Sequence, residues 1–161
     1  MLLPDHVIKA FVESGVIGIT PFEPTHLQPA SYDLTLDDTY IVPPYTSPGD
    51  MFLLSTEEVI ELPNFVQGQL HGRSSLAREG VMIHISAGFV DPGFRGTLTL
   101  ETVNFSRKPK ILPQGTRVAQ IAFLLCVGPS TKPYQGSYQD QRGPTASRRE
   151  QLPEADTSWL S

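Results

Sequence analysis

A mainly β domain opened by one short helix, built as a sandwich, jelly roll or distorted barrel, is the fold class that the sequence predicts. Three observations lead there. The 161 residues include 13 Gly and 15 Pro, too many interruptions for a helical bundle. Seven short β-rich runs are separated by Pro, Gly, Asp and Asn, the punctuation of strands joined by turns. Helical periodicity is confined to the first fifteen residues. The length suits one domain able to bury a core.

At the N-terminus, Val7, Ile8, Phe11 and Val12 recur on one helical face, with Pro4 suited to a first turn and Gly15 to a C-terminal cap. The strand runs follow at 31–36, 51–55, 59–62, 66–71, 81–85, 96–104 and 117–127. In the sixth, Thr97 to Asn104 alternate cleanly between two faces, and Glu101 shares its face with Thr97, Thr99 and Val103. The domain is expected to end at residue 127. Residues 128–161 hold only seven apolar residues: Tyr134, Tyr138, Ala146, Leu152, Ala155, Trp159 and Leu160. Such a stretch has no core of its own and is either disordered or an arm that orders against a partner or ligand.

Composition excludes several classes. The net charge is −5 and charged residues make up 18% of the chain, which argues against a general nucleic-acid binder. Cys126 is the only cysteine, so no internal disulfide forms and a reducing, cytoplasmic setting is the simpler expectation. The longest apolar run, Ile121 to Val127, is far below the roughly 18 residues of a membrane span, and the N-terminus has no export-signal pattern.

Two segments carry chemistry. Gly72-Arg73-Ser74-Ser75-Leu76-Ala77-Arg78 gathers two cations and two hydroxyls beside a glycine, a donor set suited to a polyanion such as a triphosphate; the alternative is a surface helix with solvated arginines. Ser86 to Gly96 contains the turn signal Asp91-Pro92-Gly93, and Glu101 follows ten residues after Asp91. Flanked by Leu100, that carboxylate is either a half-buried proton-transfer group or a solvent-facing strand residue. The histidines, His6, His26, His71 and His84, and Cys126 fall in no H-x-E or C-x-x-C pattern, the donor set by which zinc deaminases activate water.

Taken together, these residues resemble the dCTP deaminase family. The blocks are Gln28-Pro29-Ala30-Ser31-Tyr32-Asp33-Leu34, Gly72 to Arg78, Ala87-Gly88-Phe89-Val90-Asp91-Pro92-Gly93-Phe94 with Leu100-Glu101, Leu112-Pro113-Gln114-Gly115 with Ala119-Gln120, and Pro133-Tyr134 with Gln141 to Arg148. Their order matches the family from about residue 4 to Arg149.

The resemblance implies a distorted jelly roll of the dUTPase-like type, a homotrimer with active sites between subunits, and a C-terminal arm that closes over bound nucleotide as a lid. It implies Glu101 as the base that takes a proton from water attacking C4 of cytosine, with Ser74 and Arg78 positioning that water and the glutamate. Arg73, Ser74 and Ser75 would hold phosphates. Backbone groups around Ile85 and Ala87, with the Gln141 side chain, would read the base edge. Phe94 would pack on the deoxyribose, Asp91 would face the 3′-hydroxyl, and Tyr134 and Arg142 would reach the nucleotide from the arm. Magnesium would arrive with the triphosphate rather than in a protein cage, zinc would have no place, and dTTP would be a feedback inhibitor.

Gly88 after Ala87 is similar to bifunctional members that continue to dUMP and pyrophosphate, where others carry His-Arg; a small residue there would leave room for a second water. The chain departs from the pattern in a short 36–51 segment and in Ser137, where many members carry Lys or Arg, a role open to Arg142 or Arg148. A plain dUTPase lacks support, since its usual Asp-x-Asp-Tyr turn and Gly-rich C-terminal motif are missing, although Asp33 and Arg117 to Ile121 resemble both families. A non-catalytic nucleotide-binding or regulatory trimer is the alternative of a different class; it would have no need of Glu101 with Arg78.

Overall fold

The computed structural model describes residues 1–47 and 49–149. Its elements are α1 (Asp5–Glu13), β1 (Gly18–Thr20), β2 (Leu27–Gln28), β3 (Ser31–Thr35), β4 (Tyr40–Val42), β5 (Phe52–Ser55), β6 (Val59–Glu61), β7 (Val66–Gly72), α2 (Ser74–Arg78), β8 (Val81–Met82), β9 (Phe89–Val90), β10 (Arg95–Gly96), β11 (Thr99–Asn104), β12 (Lys110–Leu112) and β13 (Arg117–Leu125). No described helix is long and apolar enough to cross a membrane.

The N-terminal helix forms where the periodicity places it. Pro4 is its N-cap and accepts from the N–H groups of Val7 and Ile8 at 3.0 Å each. Ile8 is fully buried, with Val7, Phe11 and Val12 packed against the core. Gly15 takes φ +73 and its N–H closes on the Val12 carbonyl at 3.0 Å, the left-handed exit that glycine adopts without a Cβ clash.

A five-stranded antiparallel sheet in the order β2-β3-β13-β7-β9 forms the main wall. β13 is its spine, paired with β3 on one side and with β7 over seven registered positions, from Ala119↔Gly72 to Leu125↔Val66, on the other. Two three-stranded sheets, β5-β11-β8 and β1-β6-β10, and the pair β12-β4 complete the fold. One hydrophobic core joins them: Leu34 of β3, Leu54 of β5, Ile60 of β6, Leu100 of β11 and Phe123 of β13 are all at most 1% exposed.

Each of the seven expected runs contains a strand, and the run 96–104 is divided. The chain leaves the ladder at Thr97 and Leu98 because the Thr97 N–H donates to the Gln141 carbonyl at 3.1 Å and the Leu98 N–H to Thr56 Oγ1 at 2.9 Å. Beyond the break the period-two pattern holds: Leu100, Thr102 and Asn104 are buried while Thr99 and Glu101 are half-buried. Val103 departs from its expected face-mates by being buried where β11 passes from β5 to β8.

One buried carboxylate sits in this framework outside any expected site. Glu58 is 1% exposed and accepts from Thr35 N (3.0 Å) and Thr35 Oγ1 (2.8 Å). His26 Nδ1 lies 4.0 Å from Glu58 Oε1, beyond hydrogen-bond reach, and is without a hydrogen-bond partner among the described residues. Burial pushes the Glu58 carboxyl up, the Thr35 donors pull it back in part, and Glu57 adds repulsion. Tyr32, fully buried beside it, is likewise pushed up to about 12 by burial.

A carboxyl whose folded pKa is raised contributes stability that is whole below its ordinary value of 4.5 and is lost as pH rises through the raised value. Glu58→Gln keeps an acceptor for Thr35 and removes the charge. It is expected to flatten the decline in Tm as pH rises above 4.5 by a few degrees. Thermal melts across that range check this, and parallel profiles for variant and parent would refute the assignment.

Candidate functional site

A cavity of about 530 Å³ lies between β9, β11 and the chain that follows β13, within the range of small-molecule sites. Its floor comes from the sheets: Leu53 of β5, Leu70 of β7, Phe89 and Val90 of β9, and Thr99 and Glu101 of β11. Glu101 faces it because β11 alternates, so that Leu100 and Thr102 point to the core. Ala87 and Asp91 stand at either end of β9, and Phe94 closes the turn beyond it. That turn is built by sequence: Gly93 takes φ +90, the Phe94 N–H donates to the Asp91 carbonyl at 3.1 Å, and a Cβ on Gly93 would sit 2.7 Å from Pro133 Cβ.

The roof is the polar segment after residue 127. Tyr134, Tyr138, Gln141, Thr145 and Ser147 all line the cavity. Tyr134 meets Phe94 edge-on with centroids 5.7 Å apart, and its N–H donates to the Pro92 carbonyl at 2.8 Å. Gln141, 7% exposed, donates from Nε2 to the Thr97 carbonyl at 2.8 Å. The Thr145 N–H reaches Thr99 Oγ1 at 3.1 Å. The Arg148 N–H donates to the Tyr138 hydroxyl at 3.2 Å and holds its pKa below the usual tyrosine range, while the Arg148 guanidinium lies 5.9 Å from the ring centroid.

Six of the expected site residues therefore converge on one cavity: Ala87, Asp91, Phe94, Glu101, Tyr134 and Gln141. The others lie elsewhere on the chain. Arg73, Ser74, Ser75 and Arg78 belong to α2 and its N-cap, and none of them lines the cavity. There the Asp33 carboxylate, 1% exposed, gathers two guanidinium groups, Arg73 at 3.4 Å and Arg117 at 3.5 Å, and accepts from Gln28 Nε2 at 3.3 Å. Ser74, Ser75 and Arg78 are exposed. Ile85 is 55% exposed and outside the lining, and Arg142 turns back to donate to the Gln141 carbonyl at 2.9 Å. The lining thus carries two carboxylates, Asp91 and Glu101, and no Lys or Arg, while the cations collect around Asp33.

Sequence reasoning missed Thr99, Tyr138, Thr145, Ser147 and Phe89 as lining residues. Thr99 was legible, since it sits two positions from Glu101 on the same strand face. Phe89 is 61% exposed, which hydrophobic patterning does not anticipate. Gly88 has a different reason for being small than room for water. A Cβ there would meet the Leu70 carbonyl at 2.7 Å, Gln69 Nε2 at 3.1 Å and His84 Cε1 at 3.2 Å, and the Gly88 carbonyl accepts from Leu70 N at 2.7 Å. Glycine lets the 86–89 segment lie against β7 and so presents Ala87 to the cavity.

A family model described as dCTP deaminase-like matches residues 42–126. Proteins of Mycobacterium tuberculosis and Corynebacterium kroppenstedtii, both named dCTP deaminase, dUMP-forming, are each 38% identical over 181 aligned positions; the match covers 92% of this chain and 95% and 97% of theirs. Among solved structures, the 2′-deoxycytidine 5′-triphosphate deaminase of Agrobacterium tumefaciens superposes with a TM-score of 0.62 at 21% identity over 77% of this chain, which spans only 48% of that longer one. EIAV dUTPase gives 0.55 at 21% identity over 75% of this chain and 98% of its own. At these identities the structural likeness shows a shared jelly-roll-like fold.

Gly88→Ala places a methyl against backbone that cannot yield as a side-chain tip would. It is expected to lower stability by about 1–3 kcal/mol, as overpacking does, read from the denaturation midpoint. A midpoint equal to the parent's would show that the 86–89 segment is not held against β7.

Proposed function

The chain belongs to the dCTP deaminase-like family, and on that premise we propose that it exchanges the 4-amino group of dCTP for oxygen and carries the dUTP so formed on to dUMP and pyrophosphate. The observation that carries the reading is the enclosure of Glu101, with Asp91 and Phe94, under the roof of Tyr134 and Gln141. A binding module has no need of a general base; a hydrolase that must move a proton does, and Glu101 in the lining suits that role.

In this reading Glu101 takes a proton from water as the oxygen bonds to C4 and passes it to N3, then moves the remaining hydroxyl proton to the amino nitrogen as the C4–N4 bond breaks and the carbonyl forms, so that dCTP and water become dUTP and ammonia. Phe94 and Tyr134 offer ring surface to the deoxyribose, and Asp91 an acceptor to its 3′-hydroxyl. The amide of Gln141 and the backbone around Ala87 face the base edge. In the second step water adds at the α-phosphorus and pyrophosphate leaves. The names of the 38%-identical relatives support this continuation.

A triphosphate needs cations, which the lining of this cavity lacks. The site is therefore read as composite: α2 of a neighbouring copy brings Arg73, Ser74, Ser75 and Arg78 to the cavity in a homotrimer, with each Arg73 already oriented by Asp33. Magnesium would arrive on the triphosphate oxygens with several of its waters rather than in a protein cage, and once bound it would draw charge from the phosphate oxygens. The reaction is read as zinc-independent, because the histidines and Cys126 fall in no H-x-E or C-x-x-C pattern.

Glu101→Gln is expected to keep the fold and dCTP binding while lowering turnover by at least about 100-fold; calorimetric binding with steady-state assays checks it, and near-parental turnover would refute the base assignment. Rapid-quench sampling is expected to show dUMP and pyrophosphate with little free dUTP. Stoichiometric dUTP without pyrophosphate would leave the simple deaminase. Light scattering should give about three times the 17.7 kDa chain. In trimers refolded from equal amounts of Glu101→Gln and Arg78→Ala, about a quarter of the composite sites receive both intact residues. Activity should return to that level in the mixture, and a mixture as inactive as its components would mean that each chain builds its own site.

A further inference from the structure

Asp140 has φ +61, the one positive value held by a non-glycine among the described residues. It is the third residue of the turn Tyr138 to Gln141, closed by the Gln141 N–H on the Tyr138 carbonyl at 3.2 Å. A positive φ at that position favours glycine, because an L-residue brings its Cβ against the neighbouring carbonyl. Such a conformation persists only where the surroundings over-determine it.

The over-determination comes from Arg95. Its carbonyl accepts from Asp140 N at 2.7 Å, its Nε donates to Asp140 Oδ1, and its own N–H donates to Gln139 Oε1 at 3.1 Å. The residues on either side continue the seam. Gln139 Nε2 donates to the Gly93 carbonyl at 3.0 Å, and Gln141 both accepts from Thr97 N at 3.1 Å and donates to the Thr97 carbonyl at 2.8 Å. A Cβ on Gly96 would stand 3.1 Å from the Gln141 carbonyl oxygen, so the two backbones meet with no side chain between them.

Neither Arg95 nor Asp140 lines the cavity, and both side chains are half exposed. An exposed ion pair contributes little by attraction alone. This one restrains a strained turn whose next residue, Gln141, is buried in the cavity wall. Each partner shifts the other toward its charged form: Arg95 upward, Asp140 downward.

We propose that the Arg95–Asp140 pair is a latch that holds the 138–141 turn in its left-handed form and thereby positions Gln141 in the nucleotide site. The pair is a positioning device, not part of the reacting set, and its effect on catalysis rests on the reading of the cavity given above. Remove Arg95 and the turn relaxes, freeing the Gln141–Thr97 seam. Replace Asp140 by glycine and the turn no longer needs a latch.

The test uses the full chain with Arg95→Ala, Asp140→Gly and the double variant, followed by amide hydrogen exchange at Thr97 and Gln141 and by steady-state kinetics with dCTP. Arg95→Ala is expected to speed exchange at both amides, and to raise KM for dCTP, by about tenfold, with kcat changed less than about threefold. Asp140→Gly should stay within about threefold of the parent in both readouts, and so should the double variant. Unchanged exchange in Arg95→Ala overturns the latch. A double variant as impaired as Arg95→Ala also overturns it, since Arg95 would then act by some route other than Asp140. If exchange follows the expected pattern while the parent leaves dCTP unaltered, the latch stands and the nucleotide reading falls.

Discussion

Everything that matters for the site hangs on the two edges of β7. Along one edge it pairs with β13 over seven positions, and along the other it takes up β9 at Gly68↔Val90 and Gln69↔Phe89. The first pairing carries β7 to its end at Gly72, where the Arg73 N–H closes on the Val118 carbonyl at 3.3 Å and α2 begins. The second brings the 86–91 segment to the cavity. Both contacts are close, and the second has backbone on its far side. A Cβ on Gly68 would meet Ile121 Cδ1 at 2.8 Å, and one on Gly88 the Leu70 carbonyl at 2.7 Å. A single strand thus sets the cationic end and the acidic cavity in fixed relation.

That relation separates two kinds of charge. Asp33 is buried in β3, and its carboxylate is offset by Arg73 and Arg117, which keep 31% and 40% of their side chains exposed. A buried carboxylate with two partly solvated arginines is held in place at modest desolvation cost and presents guanidinium edges outward. The cavity, by contrast, holds carboxylates and aromatic rings. A chain with net charge −5 that receives a polyanion has to gather its cations locally. Under the proposed function, placing them on a different face from Glu101 would make assembly of copies a condition of chemistry.

The framework was legible in the sequence wherever periodicity and core burial coincide. Val7, Ile8, Phe11 and Val12 announced α1, and the alternation from Thr99 to Thr102 announced the inward face of β11 and the outward Glu101. The two-residue strand β9 was not legible, because two residues carry no period and its pairing is settled by β7. The 128–149 segment was harder still. Counting apolar residues gave it no core, and it has none; its seam to Gly93–Thr97 is made of amide and backbone hydrogen bonds, which no hydrophobic pattern reports. The left-handed turn at Asp140 was hidden for the same reason, since aspartate there reads as an ordinary polar residue until Arg95 is seen beside it.

The polarity of that segment would suit an arm that opens and closes over bound nucleotide, the role its family resemblance implies. A hydrogen bond within the fold replaces one to water and nets only about 1 kcal/mol, so a roof held by such bonds costs little to lift. Tyr134 against Phe94 is its main apolar anchor. A roof packed through several leucines would bury more area and open correspondingly less often. The glycines at 88, 93 and 96 serve the same end from below, each letting backbone approach backbone without an intervening side chain. The enclosure therefore comes from close approach and hydrogen bonding rather than from apolar bulk, which suits a site that admits a charged nucleotide and releases charged products.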